Sequence, residues 1–121
     1  MQSIKLLGLR TLIYMVPDLK AAKEWYTQTL GMEPYFDESF YVGFNVGGYE
    51  LGLHPSKDGT ASAETYWGVD DVQAAYNTLL ANGATAHEAP SEVGGGIITA
   101  SVKDPIGNIL GLIYNPHFKV E

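Results

Sequence analysis

The sequence predicts an α+β fold assembled from two tandem βαβββ modules. Three observations predict it. A strand-to-helix junction is written twice, as "RTLIYMVPDLKAAKEWY" and as "AETYWGVDDVQAAY". The two copies hold register: Asp18 and Asp71 lie 53 positions apart, as do Val16 with Val69 and Ala22 with Ala75. Each copy is followed by three strand-like runs, the last containing "LGL" at Leu51–Leu53 and at Leu110–Leu112.

The elements follow in order. Leu7 to Val16 is mostly apolar and suits a strand, which Pro17 ends. Asp18 is the expected N-cap of a helix whose Leu19, Ala22, Tyr26 and Leu30 form one buried stripe, with Gly31 as its stop. Trp25, beside Tyr26, is expected in core or dimer packing. Strands are expected over Glu33–Asp37, Phe40–Val46 and Tyr49–His54, the last two joined by the hairpin signal Gly47-Gly48. Residues 55–62, "PSKDGTAS", are small, polar and turn-forming, hence a linker. The pattern then restarts: a strand over Glu64–Val69, Asp71 as cap, and a helix burying Val72, Ala75, Tyr76, Leu79 and Leu80 up to Gly83. Strands over Ala84–Glu88, Ile97–Lys103 and Asn108–Tyr114 complete it, separated by "VGGG" and "DPIGN". The expected organisation is a single domain, 1–121, with module one at about 7–54, the linker at 55–62 and module two at about 63–116.

Composition narrows the function. Fourteen acidic against seven basic residues, a net charge of −7, argue against nucleic acid, whose binding needs clustered Lys and Arg. The absence of cysteine removes disulfides, thiolate nucleophiles and sulfur-ligated metal sites. No stretch approaches the roughly 20 apolar residues of a membrane span. The N-terminus does not resemble a secretory signal, so the cytoplasm is the expected location.

Strand alternation separates two faces. Tyr49, Leu51 and Leu53 oppose Glu50, Gly52 and His54, and Thr65, Trp67 and Val69 oppose Glu64, Tyr66 and Gly68. Phe40, Val42 and Phe44 oppose Tyr41, Gly43 and Asn45. The apolar set, Trp67 included, is expected under the helices. The other set is expected to line a cleft for a flat or apolar organic molecule, with Met15, Tyr41, Asn45, His54 and Tyr66 as its contacts. Gly52, Gly68 and Gly111 weaken strands and mark a bend or the close approach of a ligand. His87 and His117 are expected on the surface.

The phrases "VPDLKAAKEWYTQTLGM", "GVDDVQAAYNTLLANGA" and "VKDPIGNILGLI", in this order and spacing, resemble the vicinal oxygen chelate superfamily: glyoxalase I, bleomycin-resistance proteins and extradiol dioxygenases. The resemblance implies the glyoxalase/bleomycin-resistance fold, a curved mixed sheet from both modules around a ligand cleft, usually in a homodimer. In the family's metal enzymes four cleft positions carry His, Gln or Glu. Here they fall on Thr11, Glu64, Gly111 and either Glu50 or Gly52. Thr and Gly supply no competent ligand at two corners, so no resident metal and no cofactor are expected.

Two carboxylates on one cleft face repel, and one so tuned is a candidate general base, with Tyr66, Thr99 or Ser101 as hydrogen-bond donors to a developing oxyanion. The alternative is that Glu64 pairs with a Lys or Arg, or binds a cationic or hydroxyl-bearing ligand. The expected function is binding of a small organic molecule without a tightly held metal, with no nucleic-acid or membrane partner. The rival is a lyase or isomerase acting next to a carbonyl, with Glu64 or Glu50 as base and a weak divalent metal. A third reading is an interaction module with a vestigial cleft.

Overall fold

A computed structural model describes residues 1–118 of the chain. They pack as two compact units, residues 11–64 and residues 1–10 together with 65–118.

The first unit contains β1 (Leu9–Val16, entering this unit at Thr11), α1 (Leu19–Leu30), β2 (Phe36–Glu38), β3 (Tyr41–Val46) and β4 (Tyr49–Pro55). The strands run in the order β2-β3-β4-β1; β1 and β4 are parallel, and the other neighbours antiparallel. The Asp18 side chain accepts the Ala21 N–H at 3.1 Å, which starts α1. Gly31 ends it in the left-handed region, φ 66°, its N–H returning to the Thr27 carbonyl. The apolar stripe of α1, half-buried rather than buried as expected, closes on β3 and β4: Val42, Phe44 and Leu53 form the core, with Tyr14, Leu19, Ala22, Tyr26 and Leu30 packed around them. Phe44 and Leu53 are fully buried, each burial stabilising by roughly 1.5–3 kcal/mol.

Two expectations at the ends of these elements are corrected. Phe40 lies in the turn before β3, outside the pleat, and is 61% exposed with its ring edge-on to Phe36. Tyr49, at the start of β4 beyond the glycine turn, is likewise exposed rather than in the core. Of the two places expected for Trp25, core or dimer packing, the structure excludes the core: Trp25 stands exposed, in edge contact with Tyr26.

The second unit contains β5 (Ser62–Gly68, entering this unit at Thr65), α2 (Val72–Ala81), β6 (Thr85–Gly94), β7 (Ile97–Lys103) and β8 (Ile109–Tyr114). Its strand order is β5-β8-β7-β6, with β5 and β8 parallel. The arrangement repeats that of the first unit. Asp71 caps α2 by accepting the Ala74 N–H at 3.0 Å. Val69, Val72, Ala75, Tyr76, Ala100, Val102 and Leu112 form the core. Trp67, expected in that core, is only half-buried and sends its indole N–H to the Thr65 hydroxyl at 3.2 Å. β6 runs past its expected end at Glu88 to Gly94. As an edge strand it tolerates Pro90 by bulging, and its register with β7 shifts between Glu88 and Ser91. No helix of the described residues is long and apolar enough to cross a membrane.

Candidate functional site

The polar face of the first unit is organised on a floor of two glycines. Gly43 and Gly52 are partners across β3 and β4. A Cβ on Gly43 would come within 2.8 Å of Glu50 Oε2 and 3.0 Å of Tyr35 Cε1. A Cβ on Gly52 would fall 1.9 Å from the Tyr41 hydroxyl. The missing side chains are therefore replaced by Glu50, Tyr35 and Tyr41 lying flat on the strands. For Gly52 this corrects the expectation of a bend or an approaching ligand: the group that approaches is the chain's own tyrosine.

Glu50 is the focus of this face. Its Oε1 accepts from the Tyr41 hydroxyl at 2.9 Å and the Thr11 hydroxyl at 3.2 Å, and its Oε2 accepts from the Tyr35 hydroxyl. Thr11 reaches it because it pairs with Glu50 in the parallel β1–β4 ladder; it is only 5% exposed. Tyr35 is placed by its backbone N–H, which donates to the Gly43 carbonyl at 2.9 Å. Three hydroxyls on one carboxylate are charge-assisted bonds, stronger than neutral ones. Tyr35 is 62% exposed as a residue, but partial desolvation at its hydroxyl end holds its phenol above the usual tyrosine range, and the bond to Glu50 and that carboxylate's charge add to it.

Met15 and His54 pair across β1 and β4 and share this face. His54 Nδ1 lies 2.9 Å from the Pro55 carbonyl, which can only accept, so Nδ1 carries the proton. In the neutral ring Nε2 is then an acceptor. The Tyr41 and His54 rings meet edge-on, centroids 6.4 Å apart. Asn45, expected as a ligand contact, is exposed and spends its side-chain oxygen on the Gly48 N–H at 2.8 Å, closing the β3–β4 turn. Glu64 is half-buried on β5. Tyr35 was not singled out by the sequence; the usable signal was Gly43 opposite Gly52, two bare positions that some nearby side chain had to cover.

In the second unit the corresponding face carries Tyr66, Gly111, Ser101 and Thr99. Tyr66 pairs with Gly111 and Gly111 with Ser101, while Ile113 pairs with Thr99. A Cβ at Gly111 would stand 2.5 Å from Tyr66 Cδ2 and 2.6 Å from the Thr65 carbonyl oxygen, so the Tyr66 ring fills that space. Ser101 is fully buried, its hydroxyl 2.8 Å from His87 Nδ1. His87 is exposed as expected, yet it is tied to this buried hydroxyl, a link that sequence spacing does not carry.

The four positions that family resemblance gives to metal ligands do not fit a metal. The Thr11 hydroxyl is spent on Glu50, both Glu50 oxygens are occupied by hydroxyls, and Gly111 has no side chain and no room for one. Among the described residues no group of three or more His, Asp and Glu lies close enough to hold an ion. Register also settles which residue of β4 matches Gly111. Gly52 pairs with Ile13 and Gly111 with Tyr66, themselves 53 positions apart, so Gly52 is its counterpart.

A family model described as the Glyoxalase/Bleomycin resistance protein/Dioxygenase superfamily matches residues 8–112. A protein of Vibrio cholerae named "Probable lactoylglutathione lyase" is 32% identical, over 83% of this chain and 85% of its own. Methylmalonyl-CoA epimerase from Mycobacterium tuberculosis superposes with a TM-score of 0.75 at 20% identity, covering 96% of this chain and 93% of its own. The Mn(II)-bound glyoxalase from Novosphingobium aromaticivorans gives 0.77 at 18% identity, over 97% of this chain and 42% of that one. At these identities the two structural likenesses establish the fold.

Proposed function

The chain belongs to the glyoxalase/bleomycin resistance protein/dioxygenase superfamily, and from that premise we propose that it binds a small organic molecule on the Glu50 face without a tightly held metal. The observation that carries this reading is the set of hydroxyls from Thr11, Tyr35 and Tyr41 around the Glu50 carboxylate. Such a cluster keeps a negative charge, one further acceptor position on Glu50 Oε2 and the lone pairs of the three hydroxyl oxygens for a ligand rich in N–H or O–H donors. Met15, the Tyr41 ring and His54 Nε2 supply an apolar wall, a flat wall and a further acceptor. The ligand class is therefore a flat organic molecule bearing a cationic or hydroxyl group.

The experiment is a thermal-shift screen against aromatic cations and antibiotics, repeated on Glu50→Gln. A ligand present at about 100 times its Kd stabilises by about 2.7 kcal/mol, and the Glu50→Gln protein should lose most of that shift. A stoichiometric transition metal retained by the purified protein after dialysis against chelator overturns the metal-free part.

A second reading is favoured by the name of the Vibrio relative and by the epimerase likeness. In it the chain is a lyase or isomerase, with Glu50 or Glu64 taking a proton beside a carbonyl. Turnover of lactoylglutathione or methylmalonyl-CoA, lost in Glu50→Gln or Glu64→Gln with the fold intact, would establish it. A homodimer in the cytoplasm goes with both readings; sedimentation equilibrium giving the monomer mass at working concentration refutes the dimer.

A further inference from the structure

Arg10 is built into the second unit in an unusual way. The main chain brings Gly8 and Gly68 together: the Leu7 N–H donates to the Gly68 carbonyl at 2.7 Å, and the Gly68 N–H to the Gly8 carbonyl at 2.9 Å. Over this pair lies the Arg10 guanidinium. A Cβ on Gly68 would meet its Nε at 2.7 Å and Cζ at 2.9 Å, and one on Gly8 would meet Nη1 at 3.3 Å. Arg10 Cζ also stands 4.0 Å from the centre of the Phe118 ring. The group is half-buried and held by two bare backbone positions and an aromatic ring. Its N–H donors make no hydrogen bond or ion pair with any described residue.

This is a costly way to place a cation for packing alone. The chain has fourteen carboxylates to seven Lys and Arg, so an acidic partner was cheap to supply. Stacking on a ring leaves the edge of the guanidinium free, and that planar fork of donors matches a carboxylate or phosphate in two parallel bonds. We propose that Arg10, on its platform of Gly8, Gly68 and Phe118, is a binding site for the oxyanion of a small molecule, a carboxylate or a phosphate monoester. Thr99 reaches the same sheet face two strands away: Gly68 pairs with Ile113 and Ile113 with Thr99. At about 4.8 Å per strand a ligand would span roughly 10 Å to use both. The site stands apart from the Glu50 reading, since it uses none of the same residues.

The test is a nitrogen-15 NMR titration of the full chain with inorganic phosphate and, separately, malonate, at constant ionic strength set with chloride. The Arg10 side-chain Nε–H resonance should move saturably with at least one of them, and which one identifies the oxyanion. Arg10→Gln should raise the half-saturation concentration at least ~10-fold, the loss expected for a charge-assisted pair. Phe118→Leu, which keeps the charge and removes the ring, should weaken it several-fold and guards against misfolding of the first variant. Lys23→Met, which removes the cation paired with Asp37 in the first unit, should leave it unchanged. No saturable movement with either anion, the same half-saturation in Arg10→Gln, or loss of binding in Lys23→Met overturns the proposal.

Discussion

Replacing Gly52 by alanine tests whether Tyr41 is held on the strand by the bare backbone beneath it. Gly52 does not have a positive φ, so its backbone accepts alanine without strain. The added Cβ would fall 1.9 Å from the Tyr41 hydroxyl and 2.6 Å from its Cζ, so the ring must leave. With it goes the 2.9 Å bond to Glu50, a charge-assisted interaction contributing about 1.5–3 kcal/mol. Half-burial of both partners places the loss at the lower end. Loss of glycine flexibility in the unfolded chain offsets about 0.4–1 kcal/mol. The net expectation is a destabilisation of about 0.5–1 kcal/mol, read from urea unfolding with an unchanged m-value. In a Tyr41→Ala background the clash partner is absent, so Gly52→Ala should be neutral or slightly stabilising, giving a coupling of about 1–2 kcal/mol in the double-mutant cycle. Equal costs in both backgrounds, within about 0.3 kcal/mol, would refute the reasoning. Gly111→Ala is the contrast. Its Cβ also meets the Thr65 carbonyl oxygen at 2.6 Å, which trimming Tyr66 cannot move, so Tyr66→Ala should not rescue it.

Three further outcomes are expected. Thr27 Oγ1 is buried without a hydrogen-bond partner, whereas Thr78 on α2 bonds the Ala74 carbonyl at 3.0 Å; Thr27→Val should therefore stabilise by about 1 kcal/mol in urea unfolding, and a lower midpoint would mean that the hydroxyl is bonded. The Thr60 hydroxyl and amide, then the Ser56 hydroxyl, hold the Asp58 carboxyl down to about 2; its order in the linker is present above the ordinary Asp value and lost as pH falls through about 2, and an NMR titration of Thr60→Ala should show the midpoint moved upward. Tyr35, raised by burial and by Glu50, contributes stability that is full below the ordinary tyrosine value and is lost as pH rises through its higher folded value. In Glu50→Gln the Tyr35 tyrosinate should form at lower pH than in the parent chain, read from tyrosinate absorbance, with the part of the elevation due to desolvation remaining.

The division between what the residues disclose and what folding adds runs along the range of the interactions. Capping by Asp18 and Asp71, the apolar stripes of both helices and the alternation along β4 are set by neighbours within a few positions. They are therefore legible in sequence, as are the duplication and the shared face of Glu50 and His54; Thr11 and Met15 join that face through the β1–β4 pairing. Strand parity assigns a face but does not say which side chain from another strand will lie on it. Tyr35 reaches Glu50 only because the short β2 turns back along β3 and Gly43 takes its N–H. His87 reaches Ser101 only through a ladder whose register slips at a bulge. Asn45 had the right parity for the polar face, yet a local backbone N–H in its own turn was the nearer partner. Sequence by itself determined the two modules and offered Glu50 and Glu64 as the candidate carboxylates of the polar face. Only the tertiary structure decided that Glu50 is ringed by hydroxyls and that the glycines opposite are covered by tyrosines, because those contacts join residues on different strands.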